Sequence, residues 1–408
     1  MNKHTLYITF DGLSDPLGQS QILPYLCGIA KNGYQITILS CEKEDRLKHE
    51  QVGINALIKS LPITWKYILY DQEGGFFSRF LYIKKLTALA KDVISKHSIT
   101  LIHCRSYLSS LIGLKFKEKF NIPFVFDMRG FWADERIDGL IWKKNNLLHS
   151  IFYNYFKKKE KQYLRNADAI ISLTYSAITE LEKKFPNFFL EKKITVIPCC
   201  TNTNLFSNEK LVQIPDLAGI NTTDHVIIYT GSIGTWYFTK ELIDCILVWK
   251  KHIPNIKLLF VTKDLIELDL ILNQYSKVEN SIIVKVSATY KEVPAYLSIA
   301  KASMFFIKPS YSKTASSPTK MAECWAMNLP IITNSGIGDN DLYFNKHKGG
   351  ILINDFTIEE YEKACINYLN LSYQNLNYRQ IALSYFDNQT AILKYSAVYD
   401  SLTQKGLF

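Results

Sequence analysis

Apolar runs of strand length alternate with helical patterns from one end of the chain to the other. TLYITF (5–10) leads through the glycine-bearing loop DGLSDPLGQSQ into a helix that stops near Asn32-Gly33, and YQITILS (34–40) follows. Strand, loop, helix and strand in that order make a parallel pair, and near-continuous hydrophobic strands imply a sheet covered on both faces. Further strands are expected at TLIHC (100–104), PFVFDM (123–128), DAIISLT (168–174) and ITVIP (194–198). Residues 199–224 then break the alternation; they are polar, lack a period and read as a linker. A second series opens at HVIIYTGS (225–232) and runs through IKLLFVT, SIIVKV, ASMFFIK, PIITN and GGILIN. Two α/β series of similar length predict two Rossmann-like domains facing across a cleft, with ligands at the carboxyl ends of the strands.

The length of 408 residues agrees with two domains, being too great for one ordinary core. A net charge of +10 favours an anionic partner: a nucleotide, a nucleic acid or a membrane surface. The eight cysteines form no C-x-x-C pair and several lie in apolar runs, which suits a reducing compartment. No two histidines stand at helical ligand spacing, so no zinc site is expected. The first strand follows Met1 almost at once, without a signal-peptide core, and no apolar run has bilayer length. The expectation is a cytoplasmic protein, soluble or peripheral on the inner face of the cell membrane.

Neither G-x-G-x-x-G after a strand nor G-x-x-x-x-G-K-[ST] occurs, which speaks against a dehydrogenase and a P-loop NTPase. Asp339-Asn340-Asp341 spells D-x-D, the metal-binding signature of one glycosyltransferase fold, but it reads here as a polar loop. The stretch ASSPTKMAECWAMNLPIITNSG (315–336) is more informative. Ser317 is expected as the N-cap of a helix and Pro318 as its first residue. Such a helix start binds anions, and Lys313 and Lys320 add full positive charge. Ser316 and Thr319 can donate to phosphate oxygens. Glu323 lies one turn beyond Thr319, where a carboxylate suits paired sugar hydroxyls. The plain alternative is a capped surface helix.

In the first half, Gly12 and Gly18 flank a loop at a strand end, where either close backbone approach to a ligand or simple turn chemistry accounts for them. Arg105 and the Asp127–Arg129 segment sit at strand ends. Arg129, Trp132, Asp134, Glu135 and Arg136 are too polar for a buried turn and are expected to line the cleft, whereas His103 reads as an interior histidine. Residues 142–165 carry Lys143, Lys144, Lys157, Lys158, Lys159, Lys161 and Arg165 against Glu160 alone, beside apolar positions at helical spacing. Such a helix suits an anionic membrane surface, or equally an ordinary basic face in water. No nucleic-acid module is present, so no nucleic acid is expected as a partner.

The chain resembles the retaining glycosyltransferases of family 4, of the bacterial surface-polysaccharide type, in LYITFDGLSDPLGQSQILPYL, FDMRGFWADERIDGLIW, VIPCCTNTNLF, YTGSIGTWY and SPTKMAECWAMNLPIITNSGIGDND. That resemblance implies the GT-B fold, with residues 1–200 on the acceptor side, 201–385 binding a nucleotide-diphosphate sugar, and a final helix within 386–408 packing back on the first domain. It implies transfer to a hydroxyl of a glycan or lipid-linked glycan with retained configuration, with no metal and no cofactor beyond the donor. Glu323 falls on the family's ribose-binding glutamate, but the position of the preceding donor-site glutamate is Ala315. The family's Arg and Lys after the first strand of the second domain are also missing, that strand ending in Gly231-Ser232. Lys313, Lys320 and Arg129 are the expected substitutes at the diphosphate, and Lys263 reads as a surface lysine. The donor-site set is therefore Gly231, Ser232, Lys313, Ser316, Ser317, Thr319, Lys320 and Glu323. Asp127, Arg129 and Lys320 are the catalytic candidates, Asp127 standing at or near the family's usual histidine. Gly18, Gln19, Arg105, Trp132 and Glu135 are the acceptor-side candidates. A nucleotide-sugar epimerase of the same fold, or a two-domain sugar-binding protein, would share much of this pattern; net transfer of sugar to a second molecule separates them.

Overall fold

The computed structural model describes residues 3–71, 75–186, 194–210, 217–371 and 377–403. The chain divides into two compact units: residues 1–198 with 388–408, and residues 199–387. The first unit holds a parallel sheet of β1 (His4–Thr9), β2 (Gln35–Glu42), β3 (Ile63–Leu69), β4 (Leu101–Arg105), β5 (Phe124–Asp127), β6 (Ala169–Ser172) and β7 (Ile194–Val196). Its spatial order is β3-β2-β1-β4-β5-β6-β7. The second unit repeats the plan with β8 (His225–Thr230), β9 (Ile256–Val261), β10 (Ile283–Val286), β11 (Ala302–Met304), β12 (Ile331–Asn334) and β13 (Gly350–Ile353), ordered β10-β9-β8-β11-β12-β13. In each sheet the order reverses beside the first strand, and the crevice at the carboxyl ends there is where such sheets bind ligands.

Hydrophobic runs explain the central strands. Every residue of β1, β4, β5 and β6 is buried, as two-sided cover by helices requires. β3 (ITWKYIL) escapes the pattern because it is half-exposed along most of its length and carries Thr64 and Lys66 in place of a continuous apolar run. Register then sets the site: Thr9 pairs with Arg105, and Arg105 with Asp127, so the ends of β1, β4 and β5 stand side by side.

The helix Asn388–Thr403 packs against the helix Leu23–Lys31 of the first unit. Its Tyr395 ring lies 5.5 Å from Tyr25, its Lys394 Nζ donates to the Val196 carbonyl at 3.0 Å, and its Asp400 pairs with Lys3 at 2.6 Å. Residues 404–408, the end of the expected final helix, lie outside the described residues, as do 211–216 of the expected linker.

The described start of that linker is built into the second unit. The Thr201 amide donates to the Phe386 carbonyl at 2.8 Å and Phe206 is wholly buried. The Arg379 guanidinium donates to the carbonyls of Phe206 (2.7 Å), Thr203 (2.9 Å) and Ala326. Backbone satisfaction by a distant arginine leaves no periodic trace, which is why the stretch reads as a linker. Among the described residues no helix is long and apolar enough to cross a membrane. All eight cysteines are buried and free of disulfides.

Candidate functional site

The second unit gathers its donor-site candidates around the helix Thr319–Ala326. Pro318, not Ser317, is the cap residue, and no side chain caps the helix. Ser317 instead accepts a hydrogen bond from the Cys199 amide at 3.1 Å, which corrects the capping role expected for it. The short turn Tyr311–Ala315 before it buries Ala315, so the place of the missing glutamate is filled by packing. Ser316 and Thr319 flank the helix start half-buried.

Lys320 points inward, 7% exposed, and its Nζ has no hydrogen-bond partner. The ammonium sits 3.8 Å from the centre of the Tyr237 ring and 4.2 Å from that of Tyr229. Aromatic faces attract a cation but do not replace its hydrogen bonds. Burial therefore pushes the lysine down to about 7, against small opposing pulls from Cys324 and Glu323. Gly231, at the end of β8 with φ +109°, makes room: a Cβ there would stand 3.3 Å from Nζ, on a backbone that side-chain-bearing residues rarely adopt. Glu323, 8% exposed, is pushed up to about 7 by burial, with Lys320 and a hydrogen bond from Tyr290 working the other way.

Lys313 belongs to the same neighbourhood. Its Nζ lies 3.6 Å from the centre of the Trp236 ring, and its carbonyl accepts from the Gly338 amide at 2.8 Å. Residues 231–238 thus supply a ring to each lysine, and their shape is fixed at three points. The Ile233 amide donates to Asp264 at 2.8 Å, the Phe238 amide to the Phe306 carbonyl at 3.0 Å, and the Lys308 amide to the Trp236 carbonyl at 2.9 Å. Ser232 is exposed on this loop, its carbonyl taking the Tyr229 hydroxyl. Tyr229, Trp236, Tyr237 and Tyr290 are residues the sequence reading missed; the first three lie within YTGSIGTWY, where rings beside two glycines were the available signal. Lys263 is exposed. Asp341 accepts the Gly336 amide at 2.9 Å, and the described residues contain no group of three metal-ligating side chains.

In the first unit the strand ends carry a buried polar row. Asp127 is wholly buried, 3.4 Å from His103 Nε2, 3.2 Å from the Tyr395 hydroxyl and 3.9 Å from Arg129. Burial raises its carboxyl, but Arg129 and His103 overcome that and hold it below the ordinary carboxylate range. The second nitrogen of His103 meets the Tyr399 hydroxyl at 2.7 Å, and burial holds the imidazole below its usual value. Arg105 gives its Nε to Asp11 at 3.0 Å, while its Nη1 is buried without a partner. Trp132 is half-buried with the Arg136 guanidinium 3.5 Å over its ring, and Glu135 is half-buried on the same helix, Trp132–Asp138.

Three expectations change here. Gly18 lies inside the helix Pro16–Gln21, and a Cβ there would come within 2.1 Å of the Gly12 carbonyl oxygen; the close approach is backbone on backbone, not backbone on ligand. Gln19 on that helix is exposed. Glu42, which no sequence pattern singles out, pins the loop by accepting the amides of Leu13 (2.7 Å) and Ser14 (3.0 Å). Asp134 turns away from the strand ends to accept Lys157 at 2.7 Å and the Tyr153 hydroxyl at 2.9 Å. Lys157 also meets the buried Glu160 at 2.5 Å, so it leaves the basic stripe of the helix Leu147–Asn166. What that helix exposes at its start is apolar: Leu147 (76%), Leu148 (55%) and Ile151 (53%), next to exposed Lys143 and Lys144.

Residues 25–205 match the family model described as Glycosyltransferase Family 4. Sucrose-phosphate synthase from Thermosynechococcus elongatus is 15% identical and superposes with a TM-score of 0.71 over 99% of this chain and 100% of that one. HepE of Anabaena, solved in complex with UDP-glucose, is 13% identical with a TM-score of 0.66, covering 98% and 99%. A glycosyltransferase from Rickettsia africae ESF-5 is 15% identical with a TM-score of 0.65, covering 98% of each chain. No curated protein sequence matches the chain. These likenesses establish the fold as GT-B, two Rossmann-like α/β domains in one chain.

Proposed function

We propose that the protein is a glycosyltransferase that moves a sugar from a nucleotide diphosphate to a hydroxyl of a glycan or lipid-linked glycan, with retention of configuration, in surface-polysaccharide synthesis. One observation carries the donor half of this reading: the Lys320 ammonium, buried among aromatic rings without a hydrogen-bond partner at the carboxyl end of the central strand β8. A cation left so poorly satisfied is matched by an incoming anion. The family 4 match supports the transferase class, and the UDP-glucose complex of HepE supports a nucleotide sugar as donor class.

The chemistry follows from charge. As the glycosidic bond to the leaving diphosphate breaks, negative charge grows on the phosphate oxygens. Lys320, Lys313 and the amino end of the helix Thr319–Ala326 offset it, with no metal in the account. Ser232, Ser316, Ser317 and Thr319 donate hydroxyl hydrogen bonds to the phosphates, and Glu323 with Tyr290 receives the ribose hydroxyls. The first unit takes the acceptor through Arg105 and Trp132, with Gln19 and Glu135 at its margin. Asp127, enclosed as it is, acts by holding His103 and Arg129 in place; it does not touch sugar. The apolar start of the helix Leu147–Asn166, with its flanking lysines, rests on the anionic inner face of the cell membrane.

A thermal-shift screen of nucleoside diphosphates and their sugars on wild type and Lys320→Ala tests the donor site. Wild type is expected to be stabilised by one base, and the variant to lose about 1–3 kcal/mol of that affinity, the scale of a charge-assisted hydrogen bond. Equal affinity of both proteins for every nucleotide would remove Lys320 from the site.

A further inference from the structure

Glu42, the last residue of β2, is wholly buried. Burying a carboxylate is costly unless donors replace the water it loses. Here the donors come from two sides. The loop after β1 gives the amides of Leu13 and Ser14 and, at 2.5 Å, the Ser14 hydroxyl. Strand β2 itself gives the Ser40 hydroxyl, which in turn accepts the Trp65 indole N–H at 2.8 Å. None of these donors is a cation; the adjacent Lys43 turns to Asp15 at 3.0 Å. The loop is drawn so close that a Cβ on Gly12 would stand 2.8 Å from a Glu42 oxygen and 3.0 Å from the Cys41 carbonyl oxygen. Successive amides converging on one group of oxygens are how a loop holds a bound anion. In this loop the anion belongs to the chain.

The second unit repeats the device. Asp264, just beyond β9, accepts the Ile233 amide at 2.8 Å from the loop after β8. In both units a carboxylate at the end of the second strand therefore fixes the loop that leaves the first strand. In the second unit that loop carries the rings beside Lys313 and Lys320. In the first it carries Asp11, whose carboxylate accepts Arg105 Nε at 3.0 Å and whose amide donates to the Thr9 hydroxyl at 2.9 Å. Leu13 and Ser14 are buried, whereas Asp11 is half-buried, so the hold on the loop lies beneath the residue it presents.

We propose that Glu42 is a positioning residue of the first unit's site. Its carboxylate takes the place of a bound anion, sets the shape of residues 11–15 and, through Asp11, orients the Arg105 guanidinium. The inference rests on the reading above in which Arg105 serves the acceptor. Glu42 itself touches no substrate. Acceptor capacity does this work, not bulk: glutamine keeps the shape but offers one acceptor oxygen, so either Leu13 or Ser14 loses the partner of its amide.

Hydrogen exchange of the full chain tests this for wild type, Glu42→Gln and Glu42→Ala, each with and without acetate. Mass spectrometry reads peptides spanning residues 11–15, and the Arg105 Nε–H signal of isotope-labelled protein reads the guanidinium. Both variants are expected to speed exchange at the loop and at Arg105 Nε about tenfold, the loss of one charge-assisted hydrogen bond. Acetate replaces the atoms that Glu42→Ala removes. It is expected to restore protection in that variant, where chloride at equal ionic strength does not, and to leave wild type unchanged. Where Glu42→Ala folds poorly, its refolding yield in acetate against chloride gives the same comparison. Unchanged loop exchange in Glu42→Gln overturns the proposal. So does faster loop exchange with an unchanged Arg105 signal, which would make Glu42 a support of the loop alone. Failure of acetate to act, or equal action of chloride, overturns the anion role. A parallel titration with nucleoside diphosphates separates this from the donor reading. Binding by all three proteins without a variant effect on the loop refutes only Glu42. A loop effect without binding of any nucleotide refutes the donor reading and leaves Glu42 standing.

Discussion

Lys320 and Glu323 sit one turn apart on a helix, both buried and both shifted to about 7, the lysine downward and the glutamate upward. Near neutrality each is therefore about half protonated. A nucleoside diphosphate brings negative charge and favours the protonated lysine, so binding above about pH 7 takes up a proton. Affinity is expected to fall by up to about tenfold per pH unit from 7 upward, the slope of one linked proton. Titration in buffers of different ionisation enthalpy measures that uptake, and Lys320→Met should abolish it; a pH-independent affinity in wild type would contradict the shift. Stability carries the same signature with opposite signs. Because Glu323 binds its proton more tightly folded than unfolded, its contribution declines as pH rises from about 4.5 to 7. Because Lys320 binds its proton less tightly folded, its penalty is full below pH 7 and is relieved as pH climbs toward the lysine's ordinary range. The pairing of types was visible in TKMAECW; the rings that bury it come from β8 and its loop, which no local reading could bring together.

At the scale of elements, the sequence announced those with two-sided burial and failed where tertiary contacts do the organising. The five sheet-core runs of the first half stand out because both faces are apolar, whereas β3 at the edge does not. The helix Leu147–Asn166 is legible as a helix from its apolar spacing and Asn146, whose side chain accepts the His149 amide. Of its basic residues, Lys157 is drawn inward by Asp134 on a neighbouring helix, which the charge pattern alone does not show. The proposed membrane contact therefore rests on the apolar first turns. Vesicles of rising anionic lipid content should pellet wild type, less well at high salt. Leu147, Leu148 and Ile151 changed together to Ser should abolish pelleting, and Lys143 with Lys144 changed to Gln should weaken it. Equal pelleting by all three proteins would end the assignment.

For the whole molecule, the division of the chain matters more than the likeness of its halves. The first unit owns two pieces of sequence, and the later piece supplies Tyr395 and Tyr399 to the Asp127–His103 pair. A chain cut after Asp387 leaves two buried ionisable groups without those hydroxyls and uncovers the apolar face of the helix Leu23–Lys31. Such a chain is expected to aggregate or to lose the first unit's cooperative unfolding, while the second unit still melts; calorimetry of both proteins reads the difference, and an unchanged first transition would show the returning helix to be dispensable. The same arrangement has a consequence in time. On the ribosome the first unit is synthesised early but waits for its last helix while the entire second unit is made, roughly 10–40 s at ordinary elongation rates. Through that interval the Asp127–His103 pair lacks the Tyr395 and Tyr399 hydroxyls and the helix Leu23–Lys31 lacks its cover, an exposure that the finished chain no longer shows.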